Sequence, residues 1–175
     1  NTKLKLKEIK NIDQSLDRCM YDFISNTLKD NGYIHYEISN FAKPNFSSNH
    51  NLKYWYNLEY YGFGVGASGY ISNIRYTNTR SITEYIRGKN VIYKEILTEK
   101  DKIFYEIMLG FRTNRGINKR EFKDKYNVNI DNLFDYKELV NNKVLIDENG
   151  YLKVNENYFY VLDEVLTNFL DSNVK

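Results

Sequence analysis

Residues 144–154 read VLIDENGYLKV, and this stretch decides the fold of the second half of the chain. Apolar residues flank Asn149 and Gly150 on both sides. Asn-Gly between two apolar runs is the strongest short-range signal for a two-residue hairpin turn. The stretch therefore predicts two short antiparallel strands joined by a tight turn.

Helical patterns surround this hairpin. Apolar residues recur every three or four positions, and Thr98 and Asn118 suit the capping position at a helix start. We predict helices over residues 98–116, 118–126, 130–141 and 158–170. Three helices, a two-stranded wing and a closing helix predict a winged-helix-like domain over residues 91–175.

Residues 1–90 have a mixed α/β pattern. Apolar residues spaced three or four apart between Ile12 and Leu28 predict a helix, with Asp13 as its cap and Gly32 after its end. We further predict a strand over 33–39, in which Ile34, Tyr36 and Ile38 alternate with Tyr33, His35 and Glu37. A loop over 40–49, an extended segment over 60–70, a hairpin turn at Ser72 and Asn73, and a short helix over 81–88 follow. We place the domain boundary within residues 88–97.

Composition excludes several classes of protein. The 175 residues allow one domain or one and a half, at about 100–200 residues per domain. The only cysteine, Cys19, excludes a disulfide framework and an iron–sulfur cluster held by this chain alone. No apolar run approaches the roughly 20 residues of a transmembrane helix, and residues 1–10 lack the apolar core of a signal peptide. We therefore predict a cytoplasmic protein with no transmembrane segment.

The charge pattern does not favour a nucleic-acid partner. The chain has 25 basic and 23 acidic residues, a net charge of +2. Lys119 and Lys125 lie on one predicted helix, but Glu121 and Asp124 interleave with them. Each carboxylate opposes the phosphate backbone, so we interpret this helix as a solvated charged face.

The stretch HNLKYW, residues 50–55, contains one of two histidines and the only tryptophan. If it is helical, His50 and Tyr54 share one face, and Asn51 and Trp55 share the next. An imidazole flanked by large aromatic rings suits an axial haem ligand, because the nitrogen binds iron and the rings offer flat apolar walls. Spacing alone favours the alternative, in which His50 packs locally.

Four other features carry weaker signals. Residues 60–70 read YYGFGVGASGY, in which the glycines allow close approach of a flat ligand to the backbone, or ease a strand crossing. Residues 36–40, YEISN, resemble the end of a barrel strand, although a solvated strand end is the favoured interpretation. We predict that His35 is packed and that Cys19 is buried.

Taken together, YEISNFA (36–42), HNLKYW (50–55) and YGFGVGA (61–67) resemble the HemW family. These are radical S-adenosylmethionine (SAM) proteins, similar to oxygen-independent coproporphyrinogen III oxidases and regarded as haem chaperones. The order and spacing of three motifs make the resemblance more specific than any single motif. It extends from about residue 13 to the end of the chain.

The resemblance implies a fold and a set of cofactors. Residues 1–90 would be the last part of a partial β/α (radical SAM) barrel, and residues 91–175 a C-terminal helical domain. The missing N-terminal part of such a protein would hold a [4Fe–4S] cluster on three cysteines. We therefore expect a fragment of a longer protein that does no radical chemistry by itself.

The resemblance also implies site residues. His50 would bind the haem iron, with Asn51, Tyr54 and Trp55 beside it, and the protein would deliver haem to recipient haem proteins. The glycine-rich segment, with Gly64, Gly66 and Ala67, would line the SAM side of the barrel. Ser68 and Gly69 depart from the family, which has His-Ser there, so a second histidine is missing.

An alternative remains open. The chain could belong to an oxygen-independent coproporphyrinogen III oxidase, which converts two propionates into vinyl groups by oxidative decarboxylation. The HNLKYW motif favours the haem chaperone.

Overall fold

The computed structural model describes residues 13–170, and the chain divides into two compact units, Asn1–Ser47 and Ser48–Lys175. The first unit contains the helix α1 (Gln14–Asp30) and the antiparallel strands β1 (Ile34–Glu37) and β2 (Asn40–Ala42). The Asp13 carboxylate accepts from the Ser15 amide at 2.9 Å, which confirms the predicted cap. Ile12 and residues 1–10 lie outside the described residues.

The hairpin differs from the prediction in two ways. Residues 40–42 form β2 within the predicted loop, so the loop prediction was wrong there. His35, Tyr36 and Glu37 are buried consecutively, so the predicted alternation was also wrong. His35 stacks on Phe41 with ring centroids 4.0 Å apart, and its Nε2 donates to the Ile38 carbonyl at 3.2 Å. The prediction that His35 is packed is therefore confirmed.

Cys19 is exposed, so the prediction that it is buried was wrong. Within the first unit, α1 has Ser25 as its buried residue, and Tyr21 lies 6.3 Å from the ring of His35. The hairpin thus covers the side of α1 that carries Tyr21 and Ser25. The apolar residues Leu16, Met20 and Phe23 are exposed like Cys19.

The second unit contains seven α-helices, one 3-10 helix and six strands within residues 48–170. In chain order they are α2 (Asn49–Trp55), β3 (Ser68–Ile71), β4 (Ile74–Asn78), α3 (Ile82–Ile86), β5 (Val91–Ile96), α4 (Glu99–Gly110), β6 (Ile117–Asn118), α5 (Lys119–Tyr126), α6 (Ile130–Leu133), α7 (Lys137–Asn141), β7 (Leu145–Glu148), β8 (Tyr151–Val154), the 3-10 helix (Glu156–Val161) and α8 (Leu162–Thr167).

The strands β3, β4 and β5 form an antiparallel sheet in that order. Ser72 and Asn73 have φ values of +49° and +66°, which confirms the predicted two-residue turn between β3 and β4. The edge strand β5 is largely exposed, with Ile92 65% and Ile96 77% accessible. Because β5 pairs with β4, a boundary that keeps this sheet whole falls after Ile96, within the predicted stretch 88–97. The domain boundary itself stays a prediction.

Helix α4 begins as predicted and ends earlier than predicted. Thr98 and Asp101 form a reciprocal capping box at its start. The helix ends at Gly110 instead of near Gly116, because the buried Thr113 hydroxyl donates to the Gly110 carbonyl at 2.9 Å and accepts from the Gly116 amide at 3.1 Å. These contacts turn the chain into β6.

Two predicted helices are interrupted. Residues 130–141 form α6 and α7, because Phe134 adopts an extended conformation and the side chains of Phe134 and Tyr136 are buried. The closing segment begins with the 3-10 helix and continues as α8, so the prediction of a single helix over 158–170 was wrong.

The predicted hairpin at residues 144–154 is confirmed, with Asn149 and Gly150 at φ values of +53° and +81°. Strand β6 adds to β8, which gives a sheet in the order β6-β8-β7. Around this sheet lies the core of the unit. Its fully buried side chains include Ile107, Phe111, Phe122, Ile130, Leu145, Leu152, Phe159 and Leu162. Their removal from water is the main favourable term in folding.

Replacement of Gly116 by alanine tests how closely β6 and β8 approach. Gly116 has φ +70°, and a Cβ there would lie 2.4 Å from the Leu152 carbonyl oxygen. We expect Gly116→Ala to lower the free energy of unfolding by roughly 2–4 kcal/mol, through backbone strain plus overpacking. Chemical denaturation measures this.

The matched control is Gly150→Ala. Gly150 has φ +81°, and a Cβ added there would meet no atom of the described residues within 4 Å. The variant carries the backbone strain alone and should cost about 1–2 kcal/mol. Equal losses for the two variants would contradict a steric role for Gly116.

Candidate functional site

Helix α2 presents the HNLKYW residues. Ser48 caps the helix, and its Oγ accepts from the Asn51 amide at 3.3 Å. The seven residues of α2 include none that is buried, so the helix takes little support from a core of its own. His50 is exposed, whereas Asn51, Tyr54 and Trp55 are half-buried.

His50 and Tyr54 lie in direct contact, which confirms that they share one face of a helix. The Tyr54 hydroxyl lies 2.9 Å from His50 Nε2. The two rings meet edge to face, with centroids 4.9 Å apart at 89°. Tyr54 contacts the Tyr60 ring in the same manner at 4.5 Å. The result is a row of three rings with His50 at its exposed end.

Trp55 lies elsewhere, against a cavity of about 240 Å³. Trp55 and Tyr56 line one side of it, and residues of α4 and α5 line the other. The Arg115 guanidinium at this cavity lies 4.9 Å from the centre of the Tyr56 ring and 2.7 Å from a Glu121 carboxylate oxygen. The cavity is thus amphipathic, with aromatic walls and charges that are already paired.

Residues 64–66 of the glycine-rich segment form a turn, so the predicted extended conformation was wrong there, whereas Tyr60 pairs with Tyr70 and residues 68–70 belong to β3 as an extended segment would. Gly64 and Gly66 have φ values of +94° and +70°, which only glycine adopts readily. The Gly64 amide donates to the Tyr85 hydroxyl at 3.0 Å, and the Gly66 amide donates to the Thr79 carbonyl at 2.8 Å. Tyr85 belongs to α3 and Thr79 lies shortly before it. The glycine turn therefore contacts the region of α3.

Hydrogen bonds from Asn78 stabilise this turn. It is 3% exposed, and its side-chain amide donates to the carbonyls of Gly62 at 3.0 Å and Gly64 at 2.9 Å. Its backbone amide donates to the Ala67 carbonyl at 2.8 Å. Asn78 was missed in the sequence, where nothing distinguishes it from the other asparagines.

Other residues of the chain, and not a ligand, lie close to the backbone of Gly62 and Gly69. A Cβ on Gly62 would lie 2.2 Å from the Ser68 carbonyl oxygen, and one on Gly69 would meet the Tyr76 ring. Gly64 differs, because no atom of the described residues lies within 4 Å of its Cβ position. Gly64 therefore has open space beside it, which a ligand could fill.

A polar network beside α2 was also missed in the sequence. Asn57 is 4% exposed and donates to Glu106 Oε2 at 3.1 Å, while it accepts from Arg75 Nη2 at 2.7 Å. The Arg75 guanidinium lies over the rings of Tyr70 at 4.5 Å and Tyr105 at 3.9 Å. Such cation–π contacts stabilise a desolvated guanidinium.

Burial changes the acidity of the tyrosines in this region. Burial raises the pKa of Tyr126, and the neighbouring Glu106 carboxylate raises it further. Burial also raises the pKa of Tyr60, which Arg75 partly offsets. Both phenols are therefore protonated at neutral pH and serve as hydrogen-bonding groups.

The donor set does not fit an iron–sulfur cluster. Within residues 13–170, no group of three or more His, Cys, Asp or Glu side chains is arranged to hold a metal ion. The sequence has one cysteine, whereas a [4Fe–4S] cluster needs several thiolates. A single imidazole such as that of His50 fits one axial position on haem iron.

None of the helices in the described part of the chain, residues 13–170, is long and apolar enough to cross a membrane.

A family model and a solved structure both relate this chain to the protein HemN. The family model of the HemN C-terminal domain matches residues 97–157. The solved structure of the coproporphyrinogen III oxidase HemN from Escherichia coli, described as a radical SAM enzyme, matches with a TM-score of 0.69. That match covers 93% of this chain and 43% of HemN at 13% sequence identity, so it shows the fold alone. The chain is thus an α/β protein with a HemN-type fold.

Curated relatives identify the family. The heme chaperone HemW of Lactococcus lactis is 37% identical over 156 residues, which cover 86% of this chain and 41% of that protein. The heme chaperone HemW of Bacillus subtilis is 39% identical over 120 residues, which cover 66% of this chain and 32% of that protein. The chain belongs to the HemW family, which confirms the resemblance, and it spans about two fifths or less of the length of these relatives.

Removal of the Asn78 amide tests what holds the glycine turn. We expect Asn78→Ala to lower the free energy of unfolding by about 1–3 kcal/mol, because two carbonyls lose their donor. Amide hydrogen exchange at Gly64 and Gly66 should accelerate in the same variant. Asn90→Ala is the control, since Asn90 is exposed and contributes its backbone carbonyl to Thr79. Unchanged exchange at both glycines would contradict the role of Asn78.

Proposed function

We propose that this chain is the C-terminal portion of a haem chaperone, which binds haem through His50 and delivers it to recipient haem proteins. The observation that carries the proposal is His50 itself, an exposed imidazole on the HNLKYW helix. One ring nitrogen contacts Tyr54, and Nδ1 has no hydrogen-bond partner among the described residues. The relatives named heme chaperone HemW support haem as the cargo.

The chemistry of a haem carrier favours an exposed ligand. A neutral imidazole nitrogen donates its lone pair to iron. A ligand at the surface can be displaced by a stronger ligand of the recipient, which a deeply buried histidine would resist. In this proposal Asn51 and Tyr54 lie beside the cargo and Tyr54 supplies aromatic surface to the macrocycle, whereas Trp55 lies at the separate cavity described above.

The architecture in this proposal has two parts. The barrel part, predicted over residues 1–90, extends through β5 to Ile96, and the winged-helix-like domain, predicted over residues 91–175, begins at Leu97. The HemN-type fold supports the first assignment, and the β6-β8-β7 sheet among α4, α5 and α8 supports the second. The HemN C-terminal domain match begins at residue 97, close to the proposed boundary.

Gly64, Gly66 and Ala67 are proposed to face SAM in the full-length protein. Support comes from the open space beside Gly64, where a flat ligand group could approach the backbone. SAM and a [4Fe–4S] cluster together supply one-electron radical chemistry, and in this proposal the cluster is held by residues other than these. A cytoplasmic location stays a prediction from the sequence.

Replacement of His50 tests the assignment of the haem ligand. In the full-length protein, His50→Ala should weaken haem binding by roughly tenfold or more, since the loss of an axial bond costs more than about 1.4 kcal/mol. The Soret band should shift in the residual complex. Titration of haem into each protein measures both effects.

Lys53→Ala is the matched control, because Lys53 is exposed on the same helix. It should bind haem as the unmodified protein does. Equal affinity of His50→Ala and the unmodified protein would overturn the assignment.

A second candidate function follows from the HemN-type fold. The full-length protein would then catalyse the oxidative decarboxylation of coproporphyrinogen III. Anaerobic incubation of the reconstituted full-length protein with coproporphyrinogen III, SAM and a low-potential one-electron reductant distinguishes the two functions. Formation of vinyl-bearing product would support the oxidase, and its absence beside tight haem binding would support the chaperone.

A further inference from the structure

We propose that Tyr54 is a positioning residue that holds His50 through Nε2 and leaves Nδ1 as the nitrogen that binds haem iron. The inference rests on the proposed haem binding by His50. It adds a specific atom and a specific second residue to that proposal.

Helix geometry brings the two side chains together. His50 and Tyr54 are four residues apart on α2, where side chains lie one above the other. The Tyr54 hydroxyl lies 2.9 Å from His50 Nε2, within the range of a normal hydrogen bond. The edge-to-face arrangement of the rings, at 89° and 4.9 Å, restricts rotation of the imidazole further.

Tyr54 is itself held by the sheet. Its ring contacts the Tyr60 ring at 4.5 Å. The backbone of Tyr60 exchanges two hydrogen bonds with Tyr70 on β3, at 2.8 Å and 2.9 Å. The orientation of His50 therefore derives from β3 through two tyrosine rings, although His50 lies on an exposed helix.

The proposal assigns the N–H of the His50 imidazole to Nε2 and the lone pair to Nδ1. A neutral imidazole has one N–H and one lone pair, and only the lone pair binds iron. When Nε2–H donates to the Tyr54 oxygen, the lone pair is on Nδ1, which has no partner among the described residues. A metal-bound histidine commonly donates its other N–H to a carboxylate, a carbonyl or a water, which fixes the ring and strengthens the ligand, and the Tyr54 oxygen takes that place here.

The first experiment measures the iron–histidine bond in the full-length protein. Resonance Raman spectra of the ferrous haem complex report the iron–histidine stretching frequency. Tyr54→Phe keeps the ring and removes the hydroxyl, so it should lower this frequency and weaken haem binding by roughly tenfold. Tyr61→Phe is the control, because Tyr61 is 66% exposed and its ring stacks on Phe63. It should match the unmodified protein in both measurements.

The second experiment identifies the bound nitrogen directly. Nitrogen-15 spectra of the carbon monoxide complex of the ferrous protein, with labelled histidine, distinguish Nδ1 from Nε2 as the iron ligand. The resonance that disappears in His50→Ala assigns the residue. An iron bond to Nδ1 is expected.

The outcomes separate the two proposals. Unchanged haem binding in His50→Ala overturns the proposed function. Loss of binding in His50→Ala together with an iron bond to Nε2 overturns only the assignment of Nδ1 and of Tyr54. An unchanged stretching frequency in Tyr54→Phe overturns the positioning role of Tyr54.

Discussion

The arrangement of the second unit depends on the hydrogen bonds and the ion pair that the Glu106 carboxylate forms. Its Oε2 atom accepts from the Asn57 amide at 3.1 Å and the Tyr126 hydroxyl at 3.0 Å, and it pairs with Lys125 at 2.6 Å. These groups come from the segment after α2 and from α5. A half-buried carboxylate without such donors would lose hydration without compensation, so competing arrangements of these elements are disfavoured.

The same network extends toward the HNLKYW helix. Asn57 connects Glu106 to Arg75, and the Arg75 guanidinium lies against the rings of Tyr70 and Tyr105. Tyr70 in turn pairs with Tyr60 through the backbone. Helix α2 has no buried residue of its own, so its position depends on these neighbours. His50 therefore lies on a helix whose position is determined by contacts with residues outside that helix.

The sequence was sufficient for features that depend on adjacent residues. The Asp13, Thr98 and Asn118 caps and the Asn149-Gly150 turn were predicted correctly, because a cap or a tight turn is formed by residues two or three apart. The contact between His50 and Tyr54 follows from helical spacing for the same reason. The glycine turn, the break at Phe134 and the Glu106 network were not predicted. Each depends on partners that are distant in the chain, such as Asn78 for the glycine turn. The spacing of apolar residues in the sequence does not indicate such partners.

The exposed edge strand β5 has a consequence for the colloidal behaviour of the chain. An apolar strand at a sheet edge is a template for pairing with other molecules. Lys94 and Glu95 interrupt the apolar side chains of β5, and charges on an edge oppose such pairing. A second strand that pairs along β5 would have to remove water from these two charges, which carries a desolvation cost. The two side chains that interrupt the apolar strand therefore also protect the chain from edge-to-edge self-association.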